Sequence, residues 1–324
     1  MKQVTAFIWP LVGLAAVLLS FYLMFNDPSL SRLTAGEVYQ SFREIPLSGY
    51  ALAFCATLIA YAALAWYDRI ALLHLGRKLS WVFISLVSFT TYALSHNIGA
   101  SAFSGAVVRY RAYSTKGLSI AEIGILVAFC AFTFMLGTVL LSGIVLIINP
   151  GPIRRLCFEM FHFFPPMPRL RLIGWAMLAF VALYVTGSIL QLKPLVIGTF
   201  KLAYPRINVV ARQLIAGPME LLGATGIIYF ALGSAHPSFF VVLAAFLASF
   251  SAALLSHAPG GLGVLEYVFL KAMPGLPSAK VVAALIVFRV LYLIVPLIFA
   301  IAVVILFERS RLAEALRLRK RAAP

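Results

Sequence analysis

The sequence predicts an all-α polytopic membrane protein, and three observations carry that prediction. Of 324 residues, 63% are hydrophobic and only 11% charged, whereas a soluble domain is about a quarter charged. The mean hydropathy is +1.01. Eight apolar runs recur at lengths near the roughly 20 residues that span a bilayer as a helix. Backbone exposed to lipid must satisfy its own hydrogen bonds, so these runs are helices. The short alternating segments of a membrane barrel are absent.

The first run, Phe7–Phe25, follows Lys2 and has the look of a signal peptide. No small-x-small cleavage site precedes Asn26-Asp27-Pro28, so it reads as a retained helix. Gly49–Tyr67 is the second run and Trp81–Ala93 the third, which ends in a glycine-rich interruption. Ala121–Ile148, Ile173–Leu190 and Val209–Phe230 are the fourth to sixth. Phe239–Leu255 is the seventh, again running into glycines, and Val281–Phe307 the eighth.

The runs form two four-segment repeats. Ser85–Gly99 reads SLVSFTTYALSHNIG, and Phe246–Gly260 reads FLASFSAALLSHAPG. The shared Leu-Ser-His-x-x-Gly ends both at one offset, and that offset also lays the first, second and fourth runs onto the fifth, sixth and eighth. The chain therefore divides into a first membrane repeat (1–161), a second (162–307) and a basic tail (308–324). Internal repeats with Gly/Pro-interrupted segments are a transporter pattern, and the interruptions point to the binding site; an old duplication without transport is the competing reading.

The interruptions hold Gly99 and Gly105 in the first half, and Pro259, Gly260, Gly261 and Gly263 in the second. Each glycine costs a helix about 1 kcal/mol and each proline about 3, so the helix breaks here. Broken backbone at membrane depth must be buried or line a cavity, which a re-entrant hairpin achieves. Lys and Arg counts weigh the two topologies. Eight crossings place 14 on the side of the N-terminus; six crossings, with segments three and seven re-entrant, place 17. The positive-inside rule favours six, with inverted halves and both termini cytoplasmic.

Ionisable residues inside spans are expensive and mark function or a compensating pair. Glu220, Arg289, Glu266 and Arg212 are the candidates, read either as substrate-binding groups or as structural ion pairs. No Asp is expected within a span. Arg109 and Arg111 follow the first interruption; an arginine fork suits a lipid phosphodiester, and a solvated positive-inside anchor is the alternative. His96 and His257 recur in the repeat, as charge switches or as caps on broken backbone. Asn97 sits beside His96 and joins the candidate substrate-binding set.

The formal charge of +16 lies in loops and in the tail, whose leucines fall at helical spacing. Anionic lipid headgroups, not nucleic acid, are the expected partner. Cys55, Cys130 and Cys157 show no metal spacing and read as small buried hydrophobes. No P-loop, HExxH or nucleophilic constellation is present, so neither a cofactor, a metal nor an enzymatic role is expected.

Two blocks carry a family resemblance. Ser95-His96-Asn97-Ile98-Gly99, continuing through Ser104-Gly105, Arg109-Tyr110-Arg111-Ala112-Tyr113-Ser114 and Gly117-Leu118-Ser119, is one. His257-Ala258-Pro259-Gly260-Gly261-Leu262-Gly263-Val264-Leu265-Glu266 is the other. They resemble the membrane domain of the lysylphosphatidylglycerol synthase/flippase family, the multiple peptide resistance factor, across nearly the whole chain. The resemblance implies a bacterial inner-membrane translocase that moves an anionic or aminoacylated phospholipid, such as lysyl-phosphatidylglycerol, between leaflets. In that family the outcome is resistance to cationic antimicrobial peptides. A separate cytosolic domain makes the lipid; this sequence stops at Pro324, so transferase activity is not carried over, and the chain reads as either a stand-alone member or a piece of a longer protein. The alternatives are a non-transporting lipid-binding partner of a separate lipid synthase, and a translocase of another polar lipid. Oligomerisation is left open.

Overall fold

The computed structural model describes residues 2–27, 30, 32–98, 101–191, 195–197, 200–202, 204–233 and 237–322; the side chains of 2–11, 98, 101–104, 195–202, 308 and 310–322 are outside that description. Gly99, one of the expected break residues, lies outside the described residues. The order is α1 (Lys2–Asn26), α2 (Ala35–Glu44), α3 (Leu47–His74), α4 (Trp81–Ile98), α5 (Ser101–Tyr113), α6 (Ile120–Ile148) and α7 (Gly151–Phe161). It continues with α8 (Met167–Ile189), α9 (Ile207–Ala231), α10 (Phe239–Leu255), α11 (Val264–Ala272), α12 (Ser278–Phe288) and α13 (Val295–Ala322). A small antiparallel ribbon, β1 (Leu195–Ile197) with β2 (Phe200–Leu202), joins α8 to α9 and pairs Val196 with Lys201.

Among the described residues, five helical stretches are long and apolar enough to cross a membrane: α3, α6, α8, α9 and Ser278–Phe307. Their outer faces present bare apolar side chains, such as Leu172 at 69%, Leu183 at 71% and Ile298 at 62% exposure. Water would penalise such surface over so large an area, and lipid does not. The protein is a polytopic membrane protein.

Local chemistry sets the ends of these helices. Thr34 and Glu37 form a reciprocal capping box at the start of α2, and Ser119 and Glu122 form another at the start of α6. Pro46 stands between α2 and α3. Two short helices, α2 and α7, escaped the apolar-run reading because they are amphipathic rather than uniformly apolar.

The third and seventh segments are broken hairpins. Gly105 of α5 faces Ser95 and Thr91 of α4, with room for no more than hydrogen: a Cβ there would sit 2.9 Å from Ser95 Oγ. Further along α5, the Arg109 guanidinium lies 4.9 Å from the centre of the Tyr92 ring, and Tyr113 meets Phe83 edge-on at 5.9 Å. Partner numbers fall on α4 as they rise on α5, so the chain doubles back. In the second half α10 packs against α11, joined by residues 256–263. The returning arms have 13 and 9 residues. At 1.5 Å per residue they reach only about 20 and 14 Å, short of the roughly 30 Å hydrocarbon core.

α3 and α9 form the central pair, with α6 against both. The α6–α9 crossing is made by Gly137 and Gly217, where a Cβ on Gly137 would come within 2.4 Å of the Gly217 carbonyl carbon. Without a hydrophobic drive between helices in lipid, such backbone-to-backbone approach provides the dispersion contact that holds the bundle. α9 also contains Pro218, one residue past this crossing and two before Glu220. Proline removes one helical hydrogen bond there.

Candidate functional site

The two hairpin breaks meet. A Cβ on Gly260, at the second break, would lie 3.6 Å from the carbonyl oxygen of His96 and 3.8 Å from that of Asn97, at the first. α1 covers the junction: Gly13 lies against the carbonyl of His257, and Gly263 against Ser20. The second break is a tight turn in which Gly260, Gly261 and Gly263 have φ of +59°, +64° and +77°. Side-chain-bearing residues avoid that region, so the run of glycines is a requirement of the backbone path. His257, at φ +55°, is one of three described non-glycine residues there. Its ring is exposed and its Nδ1 lies 2.9 Å from the Leu255 carbonyl oxygen.

Arg289 ties this turn down. It sits at the start of a π-helical turn (Arg289–Ile294) that interrupts the last apolar run. The guanidinium donates to the Gly260 carbonyl at 3.1 Å and pairs through Nε with Glu266. Glu266 in turn accepts from the Gly263 N–H at 2.8 Å, at the N-terminus of α11. Arginine, carboxylate and broken backbone are thus one closed unit. Asn97 binds the other tip to the same segment, donating to Ala93 O at 2.7 Å and to Leu293 O at 3.1 Å.

Directly beside it lies Glu220, 1% exposed. Its Oε1 accepts from the Tyr292 hydroxyl at 2.5 Å, and its Oε2 has no hydrogen-bond partner among the described residues. Tyr292 stacks on His96, with ring centres 5.3 Å apart, and its carbonyl accepts from the Tyr61 hydroxyl at 2.9 Å. His96 Nδ1, Arg289 Nη2, Ser95 Oγ and Thr91 Oγ1 are also buried without partners. Buried polar groups in folded proteins are nearly all satisfied by protein or by ordered water, so this set gathered around a broken-helix junction marks it as the candidate site.

A second polar cluster lies at the base of the first hairpin. Asp68 receives two hydrogen bonds from Arg109, at 3.2 and 2.7 Å, one from the Tyr113 hydroxyl at 2.8 Å and one from Cys130 Sγ at 3.4 Å. This corrects two expectations. α3 runs on past Tyr67, so an Asp does lie within a span and is fully buried. Arg109, expected to meet a lipid phosphate, is 4% exposed and committed to Asp68. The signal was the apolar stretch Ile70–Leu73 after Asp68-Arg69, which continues the helix.

The other expected residues fall out differently. Arg289 pairs with Glu266, not with Glu220. Arg212 and Arg111 are exposed, on α9 and α5. Cys130 is buried as expected, but Cys55 faces outward from α3. Gly105 works as a packing contact within the hairpin. Tyr61, Tyr67 and Tyr292 were not anticipated, because nothing in their local sequence separates them from other aromatic residues of the apolar runs.

Two open depressions lie outside the junction. One of about 350 Å³ is lined by Ala62, Trp66, Arg69, Trp81 and Met219, with Arg69 over the Trp81 ring at 5.2 Å. The other, about 340 Å³, lies beside the Lys271–Asp27 ion pair, 2.6 Å apart.

No family model matches the chain. It is 33% identical over 265 residues to the uncharacterized protein slr0712 of Synechocystis, covering 81% of this chain and 80% of that one. It is 29% identical over 291 residues to the inner membrane protein YbhN of Escherichia coli, covering 89% and 88%. A phosphatidylglycerol lysyltransferase of Staphylococcus aureus is 26% identical over 297 residues, which are 90% of this chain but 33% of that longer protein.

Proposed function

We infer the function from the premise that the chain belongs to the same family as slr0712 of Synechocystis, and we propose that this membrane protein translocates a polar lipid between leaflets. The observation that carries the reading is the meeting of two broken hairpins at Gly260 and His96–Asn97, surrounded by buried polar groups without partners. Backbone of that kind within a membrane bundle belongs where a polar group passes or binds. The similarity to one third of a phosphatidylglycerol lysyltransferase supports a lipid-related role, with an anionic or aminoacylated phospholipid as the proposed cargo. The halves 1–161 and 162–307 are proposed as the two inverted repeats that rock about the junction.

Proposed roles follow the geometry. Arg289 is the phosphate-facing cation, because its Nη2 is unpartnered while its other nitrogens hold Gly260 and Glu266. Glu266 meets a cationic headgroup when the tip opens and Arg289 is diverted. Translocation rather than bond chemistry is the proposed activity, at the bacterial cytoplasmic membrane.

The test is a headgroup-quenching assay in proteoliposomes. Fluorescent phosphatidylglycerol, lysyl-phosphatidylglycerol and a zwitterionic control are compared, for the wild type and Arg289→Ala. Faster exchange of one lipid class, lost in the variant, supports the reading. Exchange no faster than in protein-free liposomes overturns it in favour of a lipid-binding partner of a separate synthase.

A further inference from the structure

Glu220 has no role in the scheme above, yet it is the most completely buried acid at the junction. One carboxylate oxygen takes a single hydrogen bond from a neutral phenol, and the other takes none. Among the described residues, none of the ion pairs includes it. A bare carboxylate in that setting has lost its hydration for one neutral hydrogen bond, an exchange that folded proteins avoid. Asp68 shows what this same bundle does for a carboxylate that stays charged: a bidentate arginine, a phenol and a thiol.

Titratable groups come from the elements packed on α9; α10, which also packs on it, carries none. α3 brings Tyr61 and Tyr67, whose hydroxyls donate to the carbonyls of Tyr292 and Gly217. The π turn brings Tyr292, stacked on His96 of α4. α6 brings Cys130, already on Asp68, and α8 brings Tyr184, whose hydroxyl donates to Gln213. Lys280 of α12 is held by Glu44 at 3.0 Å. Arg69 lies on the outer groove beyond Met219, over Trp81. Among the described residues, no full positive charge pairs with Glu220.

We propose that Glu220 is a proton-binding site, held as the neutral acid while the hairpin tips are together and releasing its proton when they part. Tyr292 stands between the two groups: its hydroxyl donates to Glu220 and its ring stacks on His96, whose Nδ1 is unpartnered among the described residues. A stacked ring carries no proton, so water admitted as the tips part would bridge Glu220 to His96. Chains of carboxyl and imidazole groups through a bundle are how membrane proteins move protons. A hard metal cation fits less well, since it needs about six or more oxygen ligands. Glu220 offers one carboxyl, among phenols already engaged with carbonyls. Resting on the translocase reading, the inference adds that lipid movement is coupled to proton movement.

Two measurements test it separately. Infrared spectra of the purified protein in nanodiscs are recorded on either side of neutral pH. A protonated-carboxyl band that titrates, is lost in Glu220→Gln and is retained at a shifted position in Glu220→Asp supports the proton site. A band unchanged by Glu220→Gln, or none, overturns it, and a sodium-dependent spectrum in its place identifies a metal-cation site instead. In proteoliposomes, a pH gradient is expected to accelerate lipid exchange by about tenfold, equivalent to about 1.4 kcal/mol, in the wild type and not in Glu220→Gln. Exchange that ignores the gradient overturns the coupling and leaves the translocase standing. If no lipid moves at all, the translocase reading and the coupling that rests on it both fall, and the infrared band still decides the proton site.

Discussion

Arg109 grips Asp68 with two guanidinium nitrogens, at 3.2 and 2.7 Å, in a place where their side chains are 5% and 0% exposed. The pair joins α5, the returning arm of the first hairpin, to α3 at the centre of the bundle. A hairpin too short to span the membrane has little apolar area with which to anchor itself, and this bond fixes its base while its tip carries the site.

Removing one partner of such a pair leaves an uncompensated buried charge, which costs about 3–5 kcal/mol. Asp68→Asn and Arg109→Ala are each expected to lower thermal stability in detergent by that order. The double variant is expected to lose less than the two losses added, because the charges disappear together. Additive losses in a thermal-melt cycle would mean that the two side chains act independently.

Arg289 is expected to behave differently. It is about one sixth exposed, as is Glu266, so truncating it disturbs the fold less than truncating Arg109. What it loses is the hold on Gly260. Arg289→Ala should reduce lipid exchange at least about tenfold, or about 1.4 kcal/mol, with a melting temperature nearer the wild type than that of Arg109→Ala. Arg289→Lys should recover little, since a point ammonium cannot hold Glu266 and the Gly260 carbonyl in the fork geometry. Full recovery in lysine would show that charge alone suffices.

The Gly137–Gly217 crossing sets a steric test. Gly137→Leu drives a side chain into the backbone of α9 and should cost at least about 1–3 kcal/mol, read as lost monodispersity and a lower melting point. Gly124, on the same helix with nothing within 4 Å of a built Cβ, is the control. Gly124→Leu should leave both measurements unchanged.

The Arg77–Glu122 pair, 2.8 Å apart, is partly exposed at 43% and 23%. Its removal by Arg77→Ala is expected to leave the melting temperature nearly unchanged, with any effect shrinking in high salt. A loss as large as that of Arg109→Ala would overturn the ranking of these pairs by depth.

Helix positions, the two breaks and the set of costly interior groups were legible in the chain, because each is a local property. An apolar run of about 20 residues has one low-energy form in lipid, and Gly260-Gly261-Leu262-Gly263 cannot continue a helix. So Glu220, Glu266, Arg289 and His96 stood out as residues needing an explanation. Which of them pair was not legible. Arg289 could satisfy either acid by composition, and only the packing of the π turn against the second break directs it to Glu266, leaving Glu220 to Tyr292. Arg109 read as a lipid-phosphate ligand or a solvated anchor until α5 folded back on α4 and delivered it to Asp68, 41 positions away. Desolvation makes each of these choices nearly all-or-none, and desolvation is set by what lies around a residue in space. By itself the sequence determined the long apolar helices, the breaks and the charged candidates; the tertiary structure alone decided the partners, because burial and pairing arise between elements far apart in the chain.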